Sequence, residues 1–157
     1  MKKIEKIKEA ILDIASNTIE MFKKEYPNFP LDVDGHGFCA EASKELATHL
    51  KYDARLKEHE IDFFVQRGNV LVSPYFNEDR EGLDIVKGHY YVLATIKNRE
   101  YIVDITASQF NDDETEFDEI VFKPKSELRG IYFNFLNIPH WVERRIRVIE
   151  RERKHVE

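Results

Sequence analysis

Three side chains in this sequence have the chemistry and the order of a nucleophilic catalytic site. Cys39 is the sole cysteine among 157 residues, and glycines at positions 35 and 37 precede it. A thiol attacks as its thiolate, a form that is favoured at a helix N-terminus and beside an imidazolium. His89 can supply the imidazolium, and Asp104 can orient its ring. We therefore predict that the fold brings Cys39, His89 and Asp104 together.

The segment 38–50 is predicted to be the helix that carries Cys39. Small or apolar side chains recur on one face of it: Cys39, Ala42, Leu46 and Leu50. This spacing is typical of an amphipathic helix, and it turns Cys39 inward at the positive end of the helix dipole. The backbone N–H of Cys39 can then point at a developing oxyanion, while the nearby glycines allow backbone to approach a substrate carbonyl.

His89 and Asp104 are predicted to lie on the two strands of a β-hairpin, 86–96 and 101–106, with a turn over 97–100. If the loop proper is Lys97-Asn98, Asp104 faces Tyr91. His89 then lies diagonal to Asp104 on the same face, about 7–8 Å away between Cα atoms. An odd-numbered loop without a bulge would put the two on opposite faces. An even-numbered loop therefore favours a His–Asp contact.

The remaining elements follow from the spacing of apolar residues and from the position of proline, glycine and charge. We predict an amphipathic helix over residues 2–25 and short strands at 61–66 and 70–72, on either side of a turn at Arg67-Gly68-Asn69. We predict an acidic loop at 77–81, either a substrate lid or a solvated connection, and a short strand at 120–122. The tail 139–157 is predicted to be a helix, with a strand over 147–150 as the alternative.

Composition limits the class of protein. Hydrophobic residues make up 42% and aromatic residues 12%, which is enough for a core, so we predict one domain over residues 1–157. The net charge of −6 disfavours a broad nucleic-acid surface. One cysteine excludes an internal disulfide and is typical of a reducing compartment. Charges recur through the N-terminal segment, which predicts no signal peptide and no membrane anchor. We therefore expect a cytoplasmic protein.

Three segments together resemble the papain-like and transglutaminase-like cysteine enzymes, in particular their compact bacterial and phage-type members. The segments are 37–43 (GFCAEAS), 89–93 (HYYVL) and 101–110 (YIVDITASQF). The last one resembles the pattern hydrophobic-Asp-x-Thr-x-x-Gln-Phe with which this region ends in such proteins. The separation of His89 and Asp104, 104 − 89 = 15 positions, also resembles that of arylamine N-acetyltransferases, which share this core.

The resemblance implies an α+β fold with a papain/transglutaminase-like core over about residues 35–110. In that fold a nucleophile helix packs on an antiparallel β-sheet, and we expect N- and C-terminal helices to flank it. The resemblance implies Cys39 as nucleophile, His89 as general base and Asp104 as orienter. The implied activity is acyl transfer from a protein, peptide or other amide. Hydrolysis would make the protein a peptidase, amidase or deamidase, and an amine acceptor would make it a transglutaminase-like transferase. This chemistry requires no cofactor.

The oxyanion partner departs from the family pattern. No glutamine precedes Cys39, so Asn17, Asn28 and His36 are open candidates for that role. Gln109 either lines the site or holds the loop that follows Asp104. His36, Gly37 and Gln109 are thus our candidate substrate or oxyanion residues.

Three alternatives remain. His36 and Cys39 form a His-x-x-Cys pair that could bind a metal together with His89 and Asp104, although one such pair is weak support. A non-catalytic protein-binding module on the same fold would use exposed aromatic residues: Tyr75, Phe76, Tyr132, Phe133, Phe135 and Trp141. A nucleic-acid interface would use the arginines of the tail. Glutamates alternate with those arginines, which favours a solvated, salt-bridged helix surface instead.

Overall fold

Helices and strands follow the apolar periodicity of the chain. The computed structural model describes residues 2–31, 37–77, 80–111, 116–129 and 131–133, without the side chains of Asn69, residues 71–87 and Phe133. The helices are α1 (Lys3–Glu25), α2 (Cys39–Tyr52) and α3 (Ala54–Lys57). The strands are β1 (Ile61–Asn77), β2 (Arg80–Ile96), β3 (Arg99–Asp104), β4 (Val121–Pro124) and β5 (Tyr132–Phe133). Two short 3₁₀ helices cover Ala107–Phe110 and Lys125–Leu128.

The strands form one antiparallel sheet in the order β4-β3-β2-β1-β5. Mixed helix and antiparallel sheet confirm the α+β part of the predicted fold class. The predicted first helix and the helix that carries Cys39 are confirmed, with bounds that differ by one or two residues. The tail 139–157 lies outside the described residues, so its helix stays a prediction, as does the single domain.

Both faces of the sheet are covered by apolar side chains, because residues alternate between faces along each strand. Val92, Ala94 and Val103 pack with α1 and α2 in one cluster. Tyr91, Leu93 and Ile102 lie in a second cluster with residues of the segments after β3. None of the described helices has the length and apolar character needed to cross a membrane.

The hairpin between β2 and β3 has the two-residue loop Lys97-Asn98, which is one of the even-numbered loops considered, whereas Arg99 and Glu100 of the predicted turn belong to β3. Lys97 and Asn98 have φ angles of 51° and 64°, and Ile96 pairs with Arg99 across them. Two consecutive positive φ angles are typical of the tight turn whose twist matches paired strands. The register continues to Val92 opposite Val103, so the face predicted for His89 and Asp104 is the one observed.

The predicted turn at Arg67-Gly68-Asn69 is wrong, and so are the described parts of the predicted acidic loop 77–81. β1 runs unbroken through the first, with a register shift at Gly68/Asn69 that leaves Gly88 of β2 unpaired, at a φ of 75°. Pairing then continues as far as Asn77 opposite Arg80, so Asn77, Arg80 and Glu81 are strand rather than loop or lid, while residues 78 and 79 lie outside the described residues. Cross-strand hydrogen bonds pair the backbone N–H and C=O groups of these strands. This pairing outweighs the preference of glycine for turns and of acidic residues for loops.

Candidate active site

His89 and Asp104 form a buried pair at the end of the β2–β3 ladder. Each residue is 1% exposed, and His89 Nε2 lies 2.7 Å from Asp104 Oδ2. Pairing between the two strands stops at Val92, so His89 lies three residues beyond the last paired residue of β2. There its ring reaches diagonally to the last residue of β3. The hairpin therefore brings the predicted base and orienter into direct contact.

Asp104 accepts hydrogen bonds at both of its oxygens. The Thr106 N–H and Oγ1–H donate to Oδ1 at 2.9 and 3.2 Å, and the Tyr132 hydroxyl donates to Oδ2 at 2.7 Å. The bond to the N–H two residues ahead is the usual aspartate turn, and it ends the strand. Burial raises the pKa of Asp104, but the charge and bond of His89, with the bonds from Tyr132 and Thr106, outweigh it and hold the pKa below its ordinary value. Asp104 is therefore a fixed anion.

His89 is charged at neutral pH because of this anion. Burial lowers the pKa of His89, but the charge and hydrogen bond of Asp104 outweigh it, and Cys39 adds to their effect. The balance of these effects raises the pKa of His89 to about 9. The ring is enclosed by aromatic side chains, with Phe110 edge-on at 5.0 Å and Tyr91 at 6.1 Å between ring centroids. These rings exclude water from the pair and strengthen its electrostatics.

Cys39 is the first residue of α2 and half-buried, and the side chain of the N-cap residue Phe38 makes no capping hydrogen bond. Burial raises the pKa of the thiol, and the charge of Asp104 adds to that effect. Hydrogen bonding and charge from His89, with a bond from the backbone N–H of Tyr90, outweigh both and lower the pKa of Cys39. His89 and the Tyr90 N–H of β2 thus act on a sulfur at the positive end of a helix, an arrangement that favours the thiolate.

The orientation of the imidazole follows from these contacts. Because Nε2 binds Asp104, Nδ1 is the ring nitrogen left for Cys39. Nδ1 is buried and has no partner with full hydrogen-bond geometry among the described residues. Serine proteases use the ring the other way round, with Nδ1 on the aspartate. With the pKa of the thiol lowered and that of the ring raised, the arrangement favours a thiolate–imidazolium pair that titrates as one unit.

The two ends of the site meet at Gly37 and Gln109. A Cβ at position 37 would overlap the side-chain amide oxygen of Gln109, so Gly37 lies directly on the 3₁₀ helix after β3. The amide nitrogen of Gln109 is buried and has no hydrogen-bond partner among the described residues. Sequence reasoning named both residues, without their contact.

We expect Gly37→Ala to slow alkylation of Cys39 roughly tenfold, because the added methyl group must displace the Gln109 amide or the loop that leads into α2. The rate of iodoacetamide labelling at pH 7 measures the effect. The double variant Gly37→Ala/Gln109→Ala makes room for the methyl group and should recover most of the rate. If Gly37→Ala alone reacts like the natural protein, the close packing does not position the thiol.

Two of the other oxyanion candidates, Asn17 and Asn28, are exposed. Asn17 lines a surface groove with His49 and Tyr52, and Asn28 is exposed after α1. His36 lies outside the described residues, so its role stays a prediction. Thr106 and Tyr132 were missed as partners of Asp104. The pattern Asp-x-Thr could have identified Thr106, but no local signal identifies Tyr132.

The alternatives fare differently. Within the described parts of the chain, no three His, Cys, Asp or Glu side chains form a group that could hold a metal ion. Tyr132 is only 2% exposed, so its assignment to an exposed binding surface is wrong, because its hydroxyl is needed at Asp104. The other five aromatic side chains proposed for that surface, and the charged tail, lie outside the described part.

No protein-family model, curated protein or solved structure matches this chain.

Proposed function

We propose that this chain is a cysteine-dependent acyl-transfer enzyme with a Cys39–His89–Asp104 triad on a papain/transglutaminase-like core. Its substrate is an amide in a protein, a peptide or a smaller molecule. Water as acceptor makes it a peptidase, amidase or deamidase, and an amine makes it a transferase. The chemistry needs no cofactor, and a free thiol suits a cytoplasmic setting.

The observation that carries this proposal is that His89 is bound to Asp104 and acts on the thiol of Cys39. One ring nitrogen is bound at 2.7 Å to a fully buried carboxylate, and the other is left for a thiol whose pKa is lowered. A buried structural cysteine needs neither a charged histidine nor a backbone donor at its sulfur. Perturbed groups that face one another in this way are typical of catalytic sites.

In the first half of the reaction the Cys39 thiolate attacks the carbonyl carbon of the amide. The carbonyl π electrons move to oxygen and give a tetrahedral oxyanion. His89 then transfers its Nδ1 proton to the departing nitrogen as the C–N bond breaks, so an amine leaves and a thioester to Cys39 remains. Asp104 keeps its charge throughout and holds the Nε2 proton.

In the second half neutral His89 accepts a proton from the acceptor, water or an amine, as that molecule attacks the thioester carbonyl. The C–S bond breaks, the electron pair returns to sulfur, and the thiolate–imidazolium pair is restored. No external oxidant or reductant enters, and protons balance over the cycle.

The backbone at the start of α2 supplies the donors for the oxyanion. The Ala42 N–H makes the first helical bond, to the Phe38 carbonyl, and among the described residues no side chain caps the preceding N–H groups. The Cys39 N–H is thus a donor beside the attacking sulfur. The buried Gln109 amide nitrogen, on the segment packed against Gly37, is the side-chain candidate.

The architecture supports the proposed family-level core. The helix that begins at Cys39 packs on β1 and β2 of an antiparallel sheet, while His89 and Asp104 come from adjacent strands. This is the arrangement that the resemblance implies. Similar catalytic triads occur on unrelated folds. The functional proposal therefore depends on the geometry of the site, and the assignment of the core adds less support to it.

The deciding experiment is the pH dependence of iodoacetamide labelling, with the modified residue identified by mass spectrometry. We expect Cys39 to react at pH 6 at nearly its neutral rate, since the ion pair keeps the thiolate, whereas an ordinary thiol loses about tenfold per pH unit. Denatured protein, whose Cys39 has lost the site, serves as the control. A slow reaction that follows an ordinary thiol's pH dependence would contradict the proposal and favour the binding-module alternative.

A further inference from the structure

Tyr132 is tied to the site by a short hydrogen bond that the triad chemistry does not require. Its hydroxyl donates to Asp104 Oδ2 at 2.7 Å, the same oxygen and the same distance as His89 Nε2. The other oxygen, Oδ1, is occupied by Thr106 through its N–H and its hydroxyl. Four donors therefore surround one buried carboxylate, and two of them share the oxygen that faces the imidazole.

The position of Tyr132 is set from outside the site. It pairs with Val70 across β5 and β1, and its ring stands edge-on to Tyr91 at 5.0 Å. The side chain is 2% exposed and packs in the cluster on the sheet face opposite α1 and α2. A buried tyrosine hydroxyl needs a partner, and the only acceptor that it contacts among the described residues is Asp104.

We propose that Tyr132 is a positioning residue of this site, which acts through Asp104 by sharing the carboxylate oxygen that binds His89. This inference rests on the proposed function for its catalytic meaning, but its geometry does not depend on that function. Strand β5 thereby becomes part of the site, although it lies at the sheet edge and carries no reacting group.

Sharing one oxygen has a defined electrostatic consequence. Burial, the charge of Asp104 and the bond to it raise the pKa of Tyr132, so the hydroxyl keeps its proton and stays a donor. The hydroxyl hydrogen of Tyr132 draws negative charge away from Asp104 Oδ2. This oxygen therefore stabilises the imidazolium of His89 less strongly. Asp104 would stay in place without it, because Thr106 and His89 still hold the carboxylate. Loss of the hydroxyl should then raise the pKa of His89 and make its proton harder to release.

The test is Tyr132→Phe, which removes the hydroxyl and keeps the buried ring. The pKa of His89 is measured by NMR titration of its ring proton in full-length protein that also carries Cys39→Ala, so that the thiol does not titrate. We expect a rise of roughly half a unit or more. Tyr101→Phe is the matched control, since Tyr101 is a buried tyrosine on β3 that packs on Phe122 and makes no bond to Asp104. It should leave the pKa of His89 unchanged.

Thr106→Val separates the two oxygens of the carboxylate. It removes a donor from Oδ1, which His89 does not use, and should move the pKa of His89 less than Tyr132→Phe does. An unchanged or lowered pKa in Tyr132→Phe, or an equal shift in Thr106→Val, overturns the proposal. With Cys39 intact, Tyr132→Phe should also move the alkaline limb of the labelling profile to higher pH. An unreactive Cys39 in the natural protein would contradict the proposed enzymatic function. It would not affect the conclusion drawn from the titration of His89.

Discussion

His89→Gln should slow iodoacetamide labelling of Cys39 at pH 6.5 by about a hundredfold or more. Two influences raise the pKa of this thiol, burial and the charge of Asp104, and His89 supplies most of what opposes them. Without the imidazole, the Tyr90 N–H and the N-terminus of α2 are left to favour the thiolate. The pKa of Cys39 then moves above its ordinary value, so the reactive form appears only in alkaline solution.

The control for this variant is His49→Gln. His49 is on the same helix as Cys39, but its ring contacts Thr18 and Glu45. It removes a histidine without touching the thiol and should label like the natural protein. Circular dichroism must show that His89→Gln is folded, because an unfolded chain would expose the thiol. His89→Ala with added imidazole gives a second measurement, in which the cavity can accept the missing ring and restore part of the rate.

Labelling of His89→Gln at the natural rate, with the same pH dependence, would show that the imidazole does not activate Cys39. The ion pair would then be a structural feature, and the proposed chemistry would have no base. Recovery by imidazole in His89→Ala supports the opposite conclusion, since imidazole has no effect on a thiol that is merely buried.

The part of the site that sequence reasoning reached is the part fixed by local rules. The two-residue loop Lys97-Asn98 determines the hairpin register, and the register determines that His89 and Asp104 share a face. The helix that begins at Cys39 follows from apolar spacing within one segment. Each of these inferences used residues within a single helix or a single hairpin. Over such short separations the backbone geometry allows few alternative structures.

The part that sequence reasoning missed depends on contacts between distant segments. Gly68 has the chemistry of a turn, yet pairing of β1 with β2 makes it a point of register shift inside a strand. Tyr132 lies 28 positions after Asp104 and reaches it only because β5 pairs with β1. A buried hydroxyl cannot be told from an exposed one by its neighbours in sequence, so this aromatic residue was placed on a surface.

Asp104→Asn should destabilise the fold by roughly 2–4 kcal/mol and reduce acyl transfer about a hundredfold or more. The carboxylate accepts four hydrogen bonds, two at each oxygen. An amide has one oxygen and one NH₂ group in place of the two carboxylate oxygens. In either orientation the NH₂ group faces hydrogen-bond donors, those of Thr106 or those of His89 and Tyr132. If the oxygen stays with His89 and Tyr132, the Thr106 N–H loses its acceptor inside the protein. Asp62→Asn, at an exposed position on β1, is the control for loss of one negative charge.

The sign of the pH dependence separates lost charge from lost packing. In the natural protein the lowered pKa of Cys39 and the raised pKa of His89 act in opposite directions over the same pH range, so Cys39→Ala is the background to use. There the raised pKa of His89 contributes stability that is fully present below its unfolded value, about 6.5. That contribution, on the order of 2 kcal/mol, is lost as the pH rises through the folded value.

Asp104→Asn in the same background should invert this slope. Burial remains and lowers the pKa of His89, while the charge that raised it is gone. A buried base with a lowered pKa loses stability in acid, so the double variant should become more stable from pH 5 to pH 7 and then level off. Denaturant unfolding at a series of pH values measures both curves. Parallel curves for Cys39→Ala with and without Asp104→Asn would mean that the carboxylate does not hold His89 charged, since only that charge can reverse the slope.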